Sequence, residues 1–179
     1  MNEELLKQLS VIEEAFFEDE VTEEDLDAFF DLWPEIREAI RGLGSNDPDG
    51  TYHKPEITEV EGLNEDDTLD SVYNLLSDVE MALCQEAYAE QHLQYCRELL
   101  DLIDQTGDSG FFEQYETGVG KALVQLGRFD EVKAYFESLL KKGPTANYVA
   151  NAIWAAYAMN DAAWMKKIVD EHVAGKTLP

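Results

Sequence analysis

The spacing of apolar residues between residues 68 and 173 constrains the fold most, because it repeats at intervals of three and four residues. Six such stripes follow one another, and each is bounded by a short turn rich in Gly, Pro, Asn or Asp. Short turns force consecutive helices to run antiparallel, so six helices predict three helical hairpins in series. The stripes begin at Leu69, Ala89, Phe112, Phe129, Tyr148 and Trp164.

Two more amphipathic helices are predicted near the N-terminus. The second begins at Thr22, an N-cap residue, and Asp25 three residues later completes an approximate capping box. Pro34 lies inside this helix, which predicts either a kink or a restart at that residue. Gly42 and Gly44 are predicted to end the helix.

The turn residues that follow suggest a division of the chain into three parts. Residues 1–43 form an acidic helical lobe, residues 44–67 an acidic loop or linker, and residues 68–179 the stack of three hairpins. Within the linker, the alternation at residues 57–60 indicates a short extended piece. The fold class predicted from this pattern is all-α, with about eight helices.

Charge limits the partners that the chain can bind. It carries 39 acidic and 13 basic residues, a net charge of −26, and residues 1–80 alone hold 25 acidic and 4 basic residues. Such a surface repels nucleic acids and anionic membranes and attracts basic proteins, although high charge also serves solubility alone. With no apolar run long enough to span a bilayer and an acidic start, we expect a cytoplasmic protein.

Metal ligands and thiols form no familiar motif. Cys84 and Cys96 both lie in apolar helical patterns and are predicted to be buried, reduced thiols. The histidines, His53, His92 and His172, are far apart, and the last two are predicted at the surface or boundary of helices. We therefore predict no metal and no cofactor.

Three short segments resemble active or ligand-binding motifs. Ser109 lies in a Gly-Asp-Ser-Gly run but is more simply a helix cap. Residues 118–121 lack the flanking residues of a phosphate loop, so helix packing explains their glycines. Residues 45–56 approach calcium-loop spacing, yet Ser45 replaces the first ligand and a solvated acidic turn is expected. No catalytic set is present in the sequence, and we predict a protein that is not an enzyme.

One hairpin carries a more specific pattern. Gly120 lies midway along its first helix, Gly127 in its turn, and Asn160 takes the same turn position 33 residues later. The segment 115–144 resembles the tetratricopeptide repeat family, with Val132 where that family usually has Ala. The other residues that match are Leu123, Phe129, Phe136, Leu139 and Pro144.

The resemblance implies a short right-handed superhelix whose first helices line a binding groove. The chain is also similar to bacterial repeat proteins that often end in a Cys-rich zinc motif of the SEC-C type, but it lacks that motif, so zinc is not implied. Trp154 is the best anchor for a partner, although a packed Trp is an equal alternative. The implied groove residues are Gln114, Thr117, Lys121, Gln125, Asn147, Asn151 and Trp154.

Two functions remain open at this point. The first is a protein-binding module that takes a peptide or protein in its groove. The second is a charge-driven binder, such as an immunity protein, an antitoxin or a nucleic-acid mimic, that covers a basic partner. Salt distinguishes them, because only charge-driven binding weakens steeply as ionic strength rises.

Overall fold

The computed structural model describes residues 3–18, 21–61, 72–104 and 109–175 of the chain. Within these ranges the fold is all-α, as predicted, and a two-stranded sheet is the one β element. The α-helices are α1 (Glu3–Glu18), α2 (Glu23–Leu43), α3 (Ile57–Glu61), α4 (Val72–Leu83), α5 (Ala89–Leu102), α6 (Ser109–Gln125), α7 (Phe129–Lys142), α8 (Ala146–Ala158) and α9 (Ala162–Ile168). A 3₁₀ turn (Glu86–Tyr88) precedes α5, and a π-helical turn (Val169–Val173) continues α9. Some predictions concern positions outside the described residues, namely Leu69, linker residues 62–67 and turn residues 107–108.

The chain divides into two compact units. The first comprises residues 1–82 and 98–109, and the second comprises residues 83–97 and 110–179. The three parts proposed from the turn residues, 1–43, 44–67 and 68–179, stay a prediction.

Helix α2 organises the first unit, where it packs against α1 and α3. Thr22 caps it as predicted: its Oγ1 accepts from the Asp25 amide, and the Asp25 carboxylate accepts from the Thr22 amide at 2.9 Å. The helix continues through Pro34 without a restart and ends at Leu43. Its buried stripe is Leu26, Phe29, Trp33, Ile36 and Ile40.

A polar contact ties α2 to the C-terminal part of α5 in the same unit. The Glu98 carboxylate accepts from the Trp33 indole at 2.7 Å and from the Arg37 guanidinium at 2.8 Å. Hydrogen bonds to a charged group are among the stronger ones in proteins, so this contact stabilises the packing of α2 against α5.

The region after α2 differs from the expectation. Within the predicted loop or linker, antiparallel strands β1 and β2 are formed by Ser45–Asn46 and Tyr52–His53, with Ser45 opposite His53. The extended piece predicted at residues 57–60 is wrong, because α3 occupies this position. Ile57 and Val60 are both buried, and a spacing of three places them on one side of a helical turn.

Helices α6 to α9 form two hairpins in the second unit. Both hairpin turns use a residue of positive φ, Gly127 (φ 68°) and Asn160 (φ 56°). The next amide donates in each case to the carbonyl five residues earlier, Arg128 to Leu123 and Asp161 to Ala156, at 3.0 and 2.9 Å. The two turns therefore share one geometry at an offset of 33 residues.

Gly120 of α6 lies directly against the side chain of Phe136 on α7. A Cβ at this position would overlap the ring of Phe136, which lies fully buried on α7. The absence of a side chain on α6 thus provides the space that the aromatic ring fills.

Two expectations about single residues are corrected. His92 is not at the surface, since its side chain is fully buried on α5. Cys96 is buried as predicted, but Cys84 follows the end of α4 and is partly exposed.

Candidate protein-binding surface

Helix α8 presents a continuous exposed face that carries two aromatic side chains. Trp154 is 43% exposed and Tyr157 is 75% exposed, three residues apart on the helix. The face occupies about a third of the helix circumference, and the opposite side is buried. We call it the α8 face, and it consists of Asn147, Ala150, Asn151, Trp154, Tyr157 and Ala158.

The two asparagines of the α8 face are held in place by each other. Asn151 donates from Nδ2 to the Asn147 carbonyl at 3.0 Å and to the Asn147 side-chain oxygen at 2.8 Å. Thr145 caps the helix as predicted, since its Oγ1 accepts from the Tyr148 amide at 3.2 Å. The three groove residues predicted on α8, Asn147, Asn151 and Trp154, therefore lie on one surface. Tyr157 lies beside them and was not among the residues predicted from the sequence.

The four predicted residues of α6 do not form one surface. Gln114 and Lys121 are partly exposed. Thr117 is only 2% exposed, and its hydroxyl donates to the Gln114 carbonyl at 3.0 Å, so it is not accessible to a partner. Gln125 donates from Nε2 to the Cys84 carbonyl at 2.9 Å, which gives it an internal role.

A buried polar cluster connects α6 to α8. Glu116, 5% exposed, accepts hydrogen bonds from the Tyr148 hydroxyl and, at 3.0 Å, from Lys142 Nζ. Burial, followed by the hydrogen bond to Glu116, raises the pKa of Tyr148 well above its ordinary value. Next to it, the Thr145 hydroxyl donates to Glu113 at 3.1 Å. The contacts of Glu116 with Tyr148 and of Glu113 with Thr145 share an offset of 32 residues and link α6 to the start of α8.

A pocket of about 170 Å³ lies between α7 and the C-terminal helix of the same unit. It is smaller than the roughly 300–1,000 Å³ typical of small-molecule sites. Lys167 donates to Glu137 at 3.0 Å, and this hydrogen bond lowers the pKa of Glu137. The lining residues are Glu137, Leu140, Lys141, Trp164, Lys167, Ile168, Glu171 and His172.

The segment with calcium-like spacing forms the β1–β2 turn. Asp47 accepts from the imidazole of His53 at 2.8 Å, and Asp49 accepts from the Thr51 amide at 3.0 Å, which lowers the pKa of Asp49. Glu56 precedes α3, where its amide donates to the Glu59 carboxylate. The carboxylates of the turn are thus engaged in local hydrogen bonds.

The two remaining motif-like segments lie within α6 or at its start. Residues 118–121 lie in the interior of α6, so they form no loop around a phosphate. Ser109 begins α6, but its side chain lies outside the described residues.

No protein-family model, curated protein or solved structure matches this chain. Among the helices in the described ranges, none has the length and apolar character that crossing a membrane requires. The geometry of the chain's own residues is therefore the basis for a functional proposal.

Proposed function

We propose that the chain is a non-enzymatic, cytoplasmic protein-binding module that receives a peptide or helix of another protein on the α8 face. The observation that carries this proposal is the exposed pair Trp154 and Tyr157. Large aromatic side chains provide much contact area at a low entropic cost, and they are enriched where proteins bind partners.

The arrangement of the second unit supports a tetratricopeptide-like groove. Helices α6 and α8 meet at an offset of 32 residues, as in the contact of Glu116 with Tyr148. Helices α7 and α9 meet at a similar offset, as in the ion pair of Glu137 with Lys167. Helices that repeat in this way form a stack whose equivalent faces lie side by side.

The partner is expected to be basic and to have an apolar anchor. A net charge of −26 favours cationic segments, while Trp154 and Tyr157 contact an apolar side chain or stack on a guanidinium group. Asn147 and Asn151 offer hydrogen bonds to a main chain, and Lys121 offers a charge for a carboxylate.

Affinity capture from a lysate of the native host tests the proposal. The tagged wild type is compared with Trp154→Ala/Tyr157→Ala and with Lys121→Ala. Phe129→Ala is the matched control, since Phe129 is 45% exposed but belongs to α7. We expect the aromatic double variant to lose partners that Phe129→Ala retains, and binding to persist at high salt. The same partners on all four proteins would contradict the assignment to the α8 face.

A second candidate function is charge-driven binding by the acidic N-terminal region. Helix α2 carries a stripe of six exposed carboxylates along one side, and this stripe favours a broad basic surface as partner. We call it the α2 acidic stripe, and it consists of Glu23, Glu24, Asp27, Asp31, Glu35 and Glu38.

Neutralising the α2 acidic stripe tests this alternative. The variant Asp27→Asn/Asp31→Asn/Glu35→Gln removes three charges without changing side-chain size. If charge drives binding, this variant loses its partners and wild-type complexes dissociate as salt increases. If the α8 face binds the partner, the variant retains it.

A further inference from the structure

The pocket between α7 and the C-terminal helix lies outside both the α8 face and the α2 acidic stripe. The most buried residues of its lining are apolar, since Trp164 and Ile168 are each 2% exposed and Leu140 is 7% exposed. Its volume of about 170 Å³ is too small for a drug-sized molecule. That volume is close to the roughly 150 Å³ of an engineered protein cavity that binds benzene, so the pocket accommodates one six-membered ring.

Charged side chains of both signs line the same pocket. Lys167 donates to the Glu137 carboxylate at 3.0 Å, and the imidazole of His172 lies 3.9 Å from the Glu171 carboxylate. The hydrogen bond to Glu137, followed by the charges of Glu137 and Glu171, raises the pKa of Lys167. Both glutamates of the lining are thus engaged by neighbouring side chains.

Lys141 differs from the other charged residues of the lining. It is exposed in the last turn of α7, and within the described part of the chain it forms no hydrogen bond or ion pair. With His172 neutral, the two lysines of the lining balance its two glutamates, although the whole chain has a net charge of −26. The pocket therefore lacks the excess of negative charge found elsewhere, and the ammonium group of Lys141 is available to an anion from outside.

The backbone beside the pocket is unusual. The segment Val169–Val173 forms a π-helical turn, and the Ala174 amide donates to the Val169 carbonyl five residues earlier at 2.9 Å. Glu171 and His172 of the lining belong to this turn. Such turns are rare and frequently occur at functional sites, which is an independent reason to regard this pocket as a binding site.

We propose that the pocket binds a small aromatic carboxylate. Its ring packs against Trp164 and Ile168, where it removes apolar surface from water, and its carboxylate pairs with Lys141. The same chemistry is present at the carboxyl terminus of a peptide that ends in phenylalanine. This site is separate from the α8 face and does not depend on the function proposed for that face.

Titration of the full-length protein with phenylpropionate in about 0.15 M NaCl, followed by two-dimensional NMR, tests the proposal. We expect saturable binding of one ligand per chain, with a shift of the indole N–H signal of Trp164. Phenylpropionamide has the same ring without the charge and should bind about threefold or more weakly. The absence of saturable binding, or equal affinity for the acid and the amide, would overturn the proposal.

The indole signals also separate this site from the α8 face. Trp154 lies on that face and should keep its signal unchanged when phenylpropionate binds. If the signal of Trp154 shifts and that of Trp164 does not, the ligand occupies the α8 face and the pocket assignment is wrong. A failure of the pocket is thereby distinguished from a failure of the proposed function.

A variant of Lys141 tests the carboxylate contact. Lys141→Gln changes an exposed side chain, so the fold should be retained, and it should weaken phenylpropionate binding about threefold or more while leaving phenylpropionamide binding unchanged. Lys166→Gln is the matched control, because Lys166 is an exposed lysine of α9 outside the lining. Equal affinity of the two variants for phenylpropionate would refute the role of Lys141.

A tripeptide that ends in phenylalanine identifies the source of the ligand. If it binds the pocket with a free carboxyl terminus and not with an amidated one, the proposal is supported with a chain terminus as the ligand. If phenylpropionate binds and the tripeptide does not, the proposal is supported with a free aromatic acid as the ligand.

Discussion

Glu116 shows at the residue scale how this fold accommodates a buried charge. Its buried carboxylate accepts one hydrogen bond from the hydroxyl of Tyr148 on α8 and one from Lys142. A buried carboxylate is tolerated only when its oxygens have such partners, because its desolvation is costly. Tyr148 therefore stabilises the fold through its hydroxyl as well as its ring.

Tyr148→Phe should lower the free energy of unfolding by about 1–3 kcal/mol, because it removes a hydrogen bond to a buried charged group. Urea denaturation followed by circular dichroism measures the change. Tyr157→Phe removes a hydroxyl from an exposed side chain and should change stability by less than about 0.5 kcal/mol. Equal effects of the two substitutions would show that the hydroxyl of Tyr148 contributes nothing specific.

Asp161 gives a pH dependence at the start of α9. Its carboxylate accepts from the Trp164 amide at 2.9 Å and from Lys133 Nζ at 3.2 Å, and these contacts, in that order, lower its pKa. A lowered folded-state pKa means that the stabilisation is complete above the ordinary aspartate pKa of about 3.9 and is lost as pH falls below it.

The stability difference between the wild type and Asp161→Ala should therefore be constant near neutral pH and shrink as pH falls through the lowered pKa. Denaturation at several pH values measures it. Asp161→Asn keeps an acceptor for the Trp164 amide and should retain part of the stability while losing the pH dependence. A difference that does not change down to acid pH would contradict this.

At the scale of elements, the contact between α6 and α7 depends on the missing side chain of Gly120. Its neighbour Phe136 is fully buried, and its ring occupies the space that a Cβ at Gly120 would need. The pair Gly120 and Phe136 is therefore a point of close packing in the α6–α7 hairpin.

Gly120→Ala should lower the free energy of unfolding by about 1–3 kcal/mol, because the added methyl group overpacks the contact with Phe136. In the double variant Gly120→Ala/Phe136→Leu, the loss of unfolding free energy should be smaller than the sum of the losses in the two single variants. A double-mutant cycle measures this difference. Gly143→Ala is the matched control, since a Cβ at Gly143 would meet nothing within 4 Å. Additive effects would show that the two residues do not interact.

Periodicity was sufficient to predict the longer helices but not the short elements. The stripe of α2 and its capping box follow directly from residue spacing, since both depend on neighbours along the chain. The five-residue α3 and the two-residue strands are too short to show a period. The segment that leads into α3 also has a contact distant in sequence, since the Asp104 amide donates to the Pro55 carbonyl at 2.8 Å.

The candidate sites were predictable only in part for a similar reason. Trp154 follows from an aromatic residue on a polar-flanked helical face. Thr117 was predicted in the groove because it is polar and has the spacing of a surface residue, yet it is buried. The polarity of a side chain does not reveal which neighbouring residues cover it. His92 was predicted at the surface or boundary of a helix, although its spacing of four from Cys96 was a signal that the two share a side of α5.

At the scale of the whole molecule, charge acts against compactness. A net charge of −26 on 179 residues produces self-repulsion that salt screens. The exposed carboxylates of the α2 acidic stripe contribute to it along one side of a single helix.

Raising NaCl from low concentration to about 0.15 M, where the screening length is about 8 Å, should increase the melting temperature. Asp27→Asn/Asp31→Asn/Glu35→Gln should be more stable than the wild type at low salt and respond less to added salt. Calorimetry at a series of NaCl concentrations measures both. A variant with the salt response of the wild type would indicate that repulsion along α2 is not significant.

The unequal burial of the three tryptophans makes the chain its own fluorescent reporter. Trp33 and Trp164 are 5% and 2% exposed, while Trp154 is 43% exposed. A neutral collisional quencher such as acrylamide should therefore reduce the emission of one indole and leave that of the other two largely unchanged. If an added ligand protects the Trp154 emission from the quencher, the ligand occupies the α8 face, and this is detected without a label on the protein.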